Sequence, residues 1–129
     1  MTTPDRVVLA FDTSTDELAC AVARVGVGDG RRRVEVLASG DRPCRRQANV
    51  ELVPTCLGLL DEAGLSMGDV DRVVVGRGPG SFTGVRIGIA TAKGLGCGLD
   101  RPAAGASTLD AVAWRAWAAG VRGLVGVAG

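Results

Sequence analysis

RVVVGRGPGSFTGVRIGIATAKGLGCG, Arg72 to Gly98, runs from a short β-branched stretch through a glycine-rich loop into a segment of helical length. The continuous apolar character of Arg72–Val75 is that of a buried strand. Gly76 to Gly88 holds five glycines and a proline in thirteen residues, a composition suited to tight turns and close backbone approach. Strand, glycine-rich loop and helix is also the arrangement that holds phosphate, with helix-start amides and the hydroxyls of Ser81 and Thr83 as donors. The spacing fits neither G-x-G-x-x-G, since Ser81 or Thr83 falls at the third glycine position, nor G-x-x-x-x-G-K-[ST]. Residue chemistry therefore favours a structural turn, with an anion site as the alternative.

Beyond the loop, Gly84, Gly88 and Ala92 recur every four residues with Thr91 beside them, and the helix is expected to reach about Gly98. An exposed glycine in a helix costs about 1 kcal/mol relative to alanine. Gly84, Gly88 and Gly94 thus imply close packing, on the chain's own sheet or on another protein. Ala103–Ala106 reads as a short strand reached by crossing over that helix. Ser107 then caps a third helix, with Asp110 completing a capping-box pattern and Leu109, Val112, Ala113 and Ala116 as its apolar stripe. Val121–Val127 looks like one more strand.

Upstream, Val7–Phe11 (VVLAF) suits a central strand ending at Asp12 and a turn through Thr13, Ser14 and Thr15. Leu18–Val25 returns, Gly26–Gly30 turns, and Val34–Leu37 continues, which makes an antiparallel meander because parallel pairing needs longer connections. A polar loop, Gly40–Asn49, precedes a helix from about Val50 to Ala63, stopped by Gly64, with Pro54 near its first turns. This helix has two apolar faces: Val50, Val53, Leu57 and Leu60 on one, and Leu52, Cys56, Leu59 and Ala63 on the other. One sheet covers only one of them, so the second, where exposed, is expected to form an interface patch, with burial by a second domain of the same protein as the alternative. The element order predicts an α/β fold of the ribonuclease-H-like, actin-like type, a five-stranded mixed sheet with helices packed on it. Residues 1–106 are expected to form that domain and 107–129 to begin a second, truncated one.

Composition narrows the function classes. With 47% hydrophobic, 22% charged and only 3% aromatic residues, the core must come from Val, Leu, Ile and Ala. A net charge of +1 excludes a chain-wide field that would draw the protein onto nucleic acid or an anionic membrane. Apolar runs are of strand length and the start lacks a signal-like pattern, so a cytoplasmic location without membrane contact is expected. Cys20, Cys44, Cys56 and Cys97 form no C-x-x-C pair and there is no histidine, which points to reduced thiols, three of them packed as small hydrophobes. Arg31, Arg32 and Arg33, with Arg42, Arg45 and Arg46, read as solvated surface, because no aromatic residues interleave to stack on bases. Trp114 and Trp117, three apart, read as ordinary packing.

The stretches VLAFDTSTDELACAVA (Val8–Ala23) and VGRGPGSFTGVRIGIATAKGLGCGLDRPAAGASTLDAVA (Val75–Ala113), with their spacing, resemble the TsaB (YeaZ) family. The resemblance implies a non-catalytic paralogue of the threonylcarbamoyl-transferring enzyme TsaD. It would pair with TsaD and, with the ATPase TsaE, support threonylcarbamoyladenosine formation on tRNA, meeting tRNA only through the complex and needing no cofactor. In that family the helices flanking the glycine-rich loop form a bundle with TsaD or with a second copy as a homodimer. The resemblance therefore carries the interface onto Leu52, Cys56, Leu59, Gly84, Gly88, Thr91, Ala92 and Leu95.

A phosphate site, if there is one, falls on Asp12, Thr13, Ser14, Gly78, Gly80 and Ser81, of which Asp12 to Ser14 match the first phosphate loop of actin-like ATPases. That makes a nucleotide-binding kinase or ATPase the rival function. The metal-binding histidines of TsaD, four apart, are matched here by Thr108 and Val112, so no metal and no catalytic residue are expected, and a protease reading lacks both metal and nucleophile. Two departures stand out. Ala48 occupies the place of a histidine usual in the family, and the family continues through a second domain, so a fragment or truncated chain is expected.

Overall fold

The computed structural model describes residues 3–28, 30–44 and 47–109. Its elements in order are β1 (Thr3–Asp12), β2 (Glu17–Gly28), β3 (Arg31–Pro43), α1 (Ala48–Glu62), a single 3-10 turn (Met67–Asp69), β4 (Arg72–Gly76), α2 (Phe82–Leu99) and β5 (Ala103–Ala106). The strands form one sheet in the order β3-β2-β1-β4-β5. Pairing is antiparallel for β1–β2 and β2–β3, which short turns join, and parallel for β1–β4 and β4–β5, which helices connect. This is the expected five-stranded mixed sheet.

Alternation along the strands puts Leu9 and Phe11 of β1, Leu18, Cys20 and Val22 of β2, and Val73 and Val75 of β4 on one face, all buried. Leu52, Cys56, Leu59 and Leu60 of α1 and Ala92 of α2 close over that face. α1 packs on β2 and β3, and α2 on β4, β5 and β1. The core is aliphatic and small, as the composition requires. Ser81 starts α2 by accepting a hydrogen bond from Gly84 N, and Asp100, in the left-handed region at φ 54°, ends it.

Several boundaries differ from the sequence expectation. β3 runs on to Pro43, through residues that read as loop, because its register with β2 holds as far as Glu17↔Pro43 after an irregularity between Val22 and Ala23. It is an edge strand, where proline is tolerated. α1 begins at Ala48, ahead of Pro54, and continues through it. Cys44, placed by sequence in a polar loop, is buried, whereas Cys97 on α2 is exposed, so the set of packed cysteines is corrected. Arg31, Arg32, Arg33 and Arg42 are exposed on β3.

The helical glycines separate by what surrounds them. Gly94 is exposed and a Cβ there would meet nothing within 4 Å. Gly94→Ala is expected to stabilise the chain by about 1 kcal/mol, since alanine restricts the unfolded chain and favours helix. A raised urea midpoint with unchanged m-value would show it; a lowered midpoint would mean that the backbone there needs glycine.

Thr108 and Leu109, just after β5, have helical backbone. The remainder of the helix expected from Ser107, with Trp114 and Trp117, the strand expected at Val121–Val127, Arg45 and Arg46 lie outside the described residues. Among the described residues no helix is long and apolar enough to cross a membrane.

Candidate functional site

β1, β4 and β5 run parallel, so their C-terminal ends come out side by side at one edge of the sheet. That edge is where open α/β sheets usually place ligands. It brings together Asp12–Ser14 from the end of β1, Gly78–Ser81 from the loop after β4, and Thr108 from beyond β5. All six residues assigned to a phosphate reading are thus neighbours, and Asp12, Ser14, Gly78 and Ser81 are tied together by hydrogen bonds.

Asp12 Oδ1 accepts from Ser14 N at 2.8 Å, and Asp12 Oδ2 accepts from Thr108 Oγ1 at 2.7 Å. Thr108 Oγ1 accepts from Gly78 N at 3.1 Å and lies 3.1 Å from Ser14 Oγ. Because the single Thr108 hydroxyl proton goes to the Asp12 carboxylate, Ser14 is the donor in that last contact. Ser81 N donates to Ser14 O at 2.6 Å, Thr13 Oγ1 donates to Gly84 O at 2.6 Å, and Gly84 N donates to Ser81 Oγ at 3.2 Å. The amides of Ser14, Gly78, Ser81 and Gly84, which an oxyanion would otherwise attract, all point at protein oxygens. Thr13 and Ser14 are each only 2% exposed.

The glycines of the loop explain the fit. A Cβ at Gly84 would fall inside the van der Waals shell of the Thr13 carbonyl oxygen, and one at Gly80 would collide with the Ser14 carbonyl. At Gly88 it would stand 2.9 Å from Thr13 Oγ1 and 3.1 Å from Val75 Cγ2. The four-residue repeat of small residues is therefore the face on which α2 lies against the chain's own β1–β2 turn and β4, which decides between the two readings that the sequence left open. Gly78 meets a separate demand, φ +84°, which other L-residues rarely adopt.

This packing places most of the interface residues carried over from the resemblance inside the chain. Leu52, Cys56 and Leu59 of α1 and Gly84, Gly88 and Ala92 of α2 are buried within the chain, and Thr91 and Leu95 are half-buried. Six of the eight therefore face the chain's own interior, and only Thr91 and Leu95 stand partly open. The free apolar face of α1 is the other one: Val50 is 67%, Val53 38% and Leu57 47% exposed, whereas Leu60, grouped with them by sequence, is buried.

Beside the hydrogen-bonded cluster lies a cleft of about 430 Å³ lined by Thr13, Asp16, Cys44, Ala48, Ser81 and Thr83 among others. Ala48, where the family resemblance expects histidine, is buried at its wall. Among the described residues no group of three or more His, Cys, Asp or Glu side chains stands close enough to hold a metal ion. The structural role of Thr108 was not legible beforehand: 96 residues separate it from Asp12, and no local pattern links them. The loss of three partners from one hydroxyl makes Thr108→Val an informative change. It is expected to cost about 1–3 kcal/mol by taking the Thr108 partner from Asp12 Oδ2, Gly78 N and Ser14 Oγ, while Asp12 Oδ1 keeps Ser14 N. Thr108→Ser should recover most of the urea midpoint; equal midpoints for Val and wild type would show that the hydroxyl is dispensable.

Comparison with known proteins agrees with this geometry. The family described as TsaD: tRNA N6-adenosine threonylcarbamoyltransferase matches residues 42–123, more than half of the chain. The tRNA threonylcarbamoyladenosine biosynthesis protein TsaB of Escherichia coli K12 is 40% identical over 110 residues, 85% of this chain and 44% of that protein. The Bacillus subtilis 168 protein of the same name is 34% identical, over 82% of this chain and 43% of its own length. The chain thus spans less than half the length of these relatives. YeaZ from Pseudomonas aeruginosa superposes with a TM-score of 0.72 at 38% identity, covering 88% of this chain and 49% of that one. Thermus thermophilus RuvC, at 15% identity and a TM-score of 0.56, shares the fold alone. With sequence, sheet order and structural neighbours in accord, the fold is ribonuclease-H-like and the chain belongs to the TsaD-type family, among its TsaB/YeaZ members.

Proposed function

We propose that this chain serves threonylcarbamoyladenosine formation on tRNA as a non-catalytic scaffold, docking a TsaD-type threonylcarbamoyltransferase through the outer face of α1. The names of its relatives support the pathway. One observation carries the non-catalytic part. The carboxylate and loop amides that an actin-like ATPase turns toward nucleotide are here bonded to one another through Thr108. Opening the site to phosphate would mean breaking those bonds and leaving buried groups unpaired.

Docking is supported by Val50, Val53 and Leu57, which stand at helical spacing i, i+3 and i+7 on a face no described residue covers. The same face serves either a TsaD-type partner or a second copy. A TsaE-type ATPase and tRNA join in this reading only through the assembled complex. Removing the protein from its native cell should lower the threonylcarbamoyladenosine content of bulk tRNA, measured by nucleoside mass spectrometry, and an unchanged content would overturn the pathway assignment. The kinase or ATPase alternative makes the opposite calorimetric forecast, saturable heat on titration with Mg-ATP, where the scaffold reading expects none.

A further inference from the structure

Two thiols meet in the middle of the contact between α1 and the sheet. Cys20 on β2 and Cys56 on α1 are 36 positions apart in sequence, yet their sulfurs are 3.3 Å apart. Cys20 is 4% and Cys56 0% exposed. We propose that Cys20 and Cys56 form a dithiol latch, which a hydroperoxide oxidises to a disulfide that fixes α1 to the sheet.

Geometry favours closure between this pair above any other. A disulfide needs sulfurs at ~2.05 Å, little more than an ångström closer than they are. Gly40, the β3 residue paired with Cys20, has no side chain to wedge between helix and strand. The nearest atom to a Cβ built at Gly40 is Leu59 Cδ2, at 4.0 Å, so there is slack for α1 to settle. Cys44 by contrast donates to Asp16 O at 3.5 Å, and Cys97 is exposed on the far helix.

The contact also divides the roles. The hydrogen bond from Cys56 holds the Cys20 thiol below its ordinary range against the opposing effect of burial. The same contact, together with burial, pushes Cys56 far up. Cys20 is then the more acidic of the two thiols and the one that loses its proton first, on attack. Cys20 sulfur attacks the O–O bond, forming a sulfenic acid and releasing an alcohol, or water where the oxidant is hydrogen peroxide. Cys56 sulfur displaces the sulfenic hydroxyl, its proton leaving with that oxygen as water. Two thiols thereby lose two electrons and two protons, which the peroxide bond takes up. Access to the buried pair requires local opening of α1, so the reaction should be slower than oxidation of Cys97.

The test needs no substitution in the pair. Folded protein is treated with hydrogen peroxide, denatured, alkylated and digested with trypsin, which places Cys20 alone in fragment 7–24 and Cys56 alone in fragment 47–72. The expected product is those two fragments joined, lighter by about 2 Da than their sum and separated by reductant, both in the wild type and in Cys97→Ser. The oxidised chain should also melt several degrees higher, roughly as closing a loop of this size implies. Recovery of both fragments as separate alkylated peptides while Cys97 oxidises, linkage of either cysteine to a different partner, or an oxidised form that melts no higher would each overturn the latch.

Discussion

Gly84→Ala is expected to leave the chain without a stable fold. A methyl group at that position would overlap the carbonyl oxygen of Thr13, and the obstacle is backbone, which cannot rotate aside as a side chain would. Relief requires α2 to lift from the β1–β2 turn, and that movement also breaks the hydrogen bonds from Thr13 Oγ1 to Gly84 O and from Ser81 N to Ser14 O. Overpacking of this kind usually costs ~1–3 kcal/mol, and the two lost hydrogen bonds add about 1 kcal/mol each. The sum is comparable with the whole stability of many domains. Circular dichroism with urea titration would show a collapsed midpoint or no transition at all, beside the raised midpoint expected of Gly94→Ala. A Gly84→Ala chain as stable as wild type would mean that α2 does not lie on the turn as described. The same contact makes Gly84 and Gly88 unsuitable probes of partner binding, since any side chain there tests folding first.

The second large effect concerns the outer face of α1. In the double variant Val53→Asp, Leu57→Asp, two partly exposed apolar side chains become carboxylates, with little expected change in stability because neither belongs to the buried core. If that face is covered by a partner, both carboxylates are desolvated without counter-charges. Association should weaken at least ~100-fold, which is the range of central interface positions. Val34→Asp provides the control. Val34 is 63% exposed on β3, away from the helices, and its substitution should leave pairing unchanged. Equal loss in both variants would point to a general charge effect, and no loss in either would remove α1 from the interface.

Much of this fold was legible because its signals are local. VVLAF and RVVV declare the parallel pair β1 and β4, Gly64 closes α1, and Ser81 caps α2. The end of β3 was not, since Gly40, Asp41 and Pro43 have loop chemistry and are strand only through their register with β2. The sequence also could not choose between two equally apolar faces of α1. The choice is made by long-range fit, in which Cys56 meets Cys20 and Leu59 lies over Gly40.

The candidate site divides in the same way. Spacing of Gly84, Gly88 and Ala92 announced close packing, but the partner in that packing, the Thr13–Ser14 turn, lies some seventy residues away in the chain, as the 71-residue separation of Thr13 and Gly84 records. The bonding of Asp12 to Thr108 is likewise a tertiary fact. It turns a loop with phosphate-site chemistry into a closed polar cluster, and it could be found only once β5 was seen to bring Thr108 to the end of β1.

The most direct test of the scaffold account is light scattering after chromatography of this chain mixed with the TsaD-type enzyme of the same organism. A complex of defined mass is expected with the wild type and with Val34→Asp, and none with the Val53→Asp, Leu57→Asp variant. A complex that forms equally well with the double variant, or a folded wild-type chain that elutes apart from the enzyme at every concentration, would contradict it.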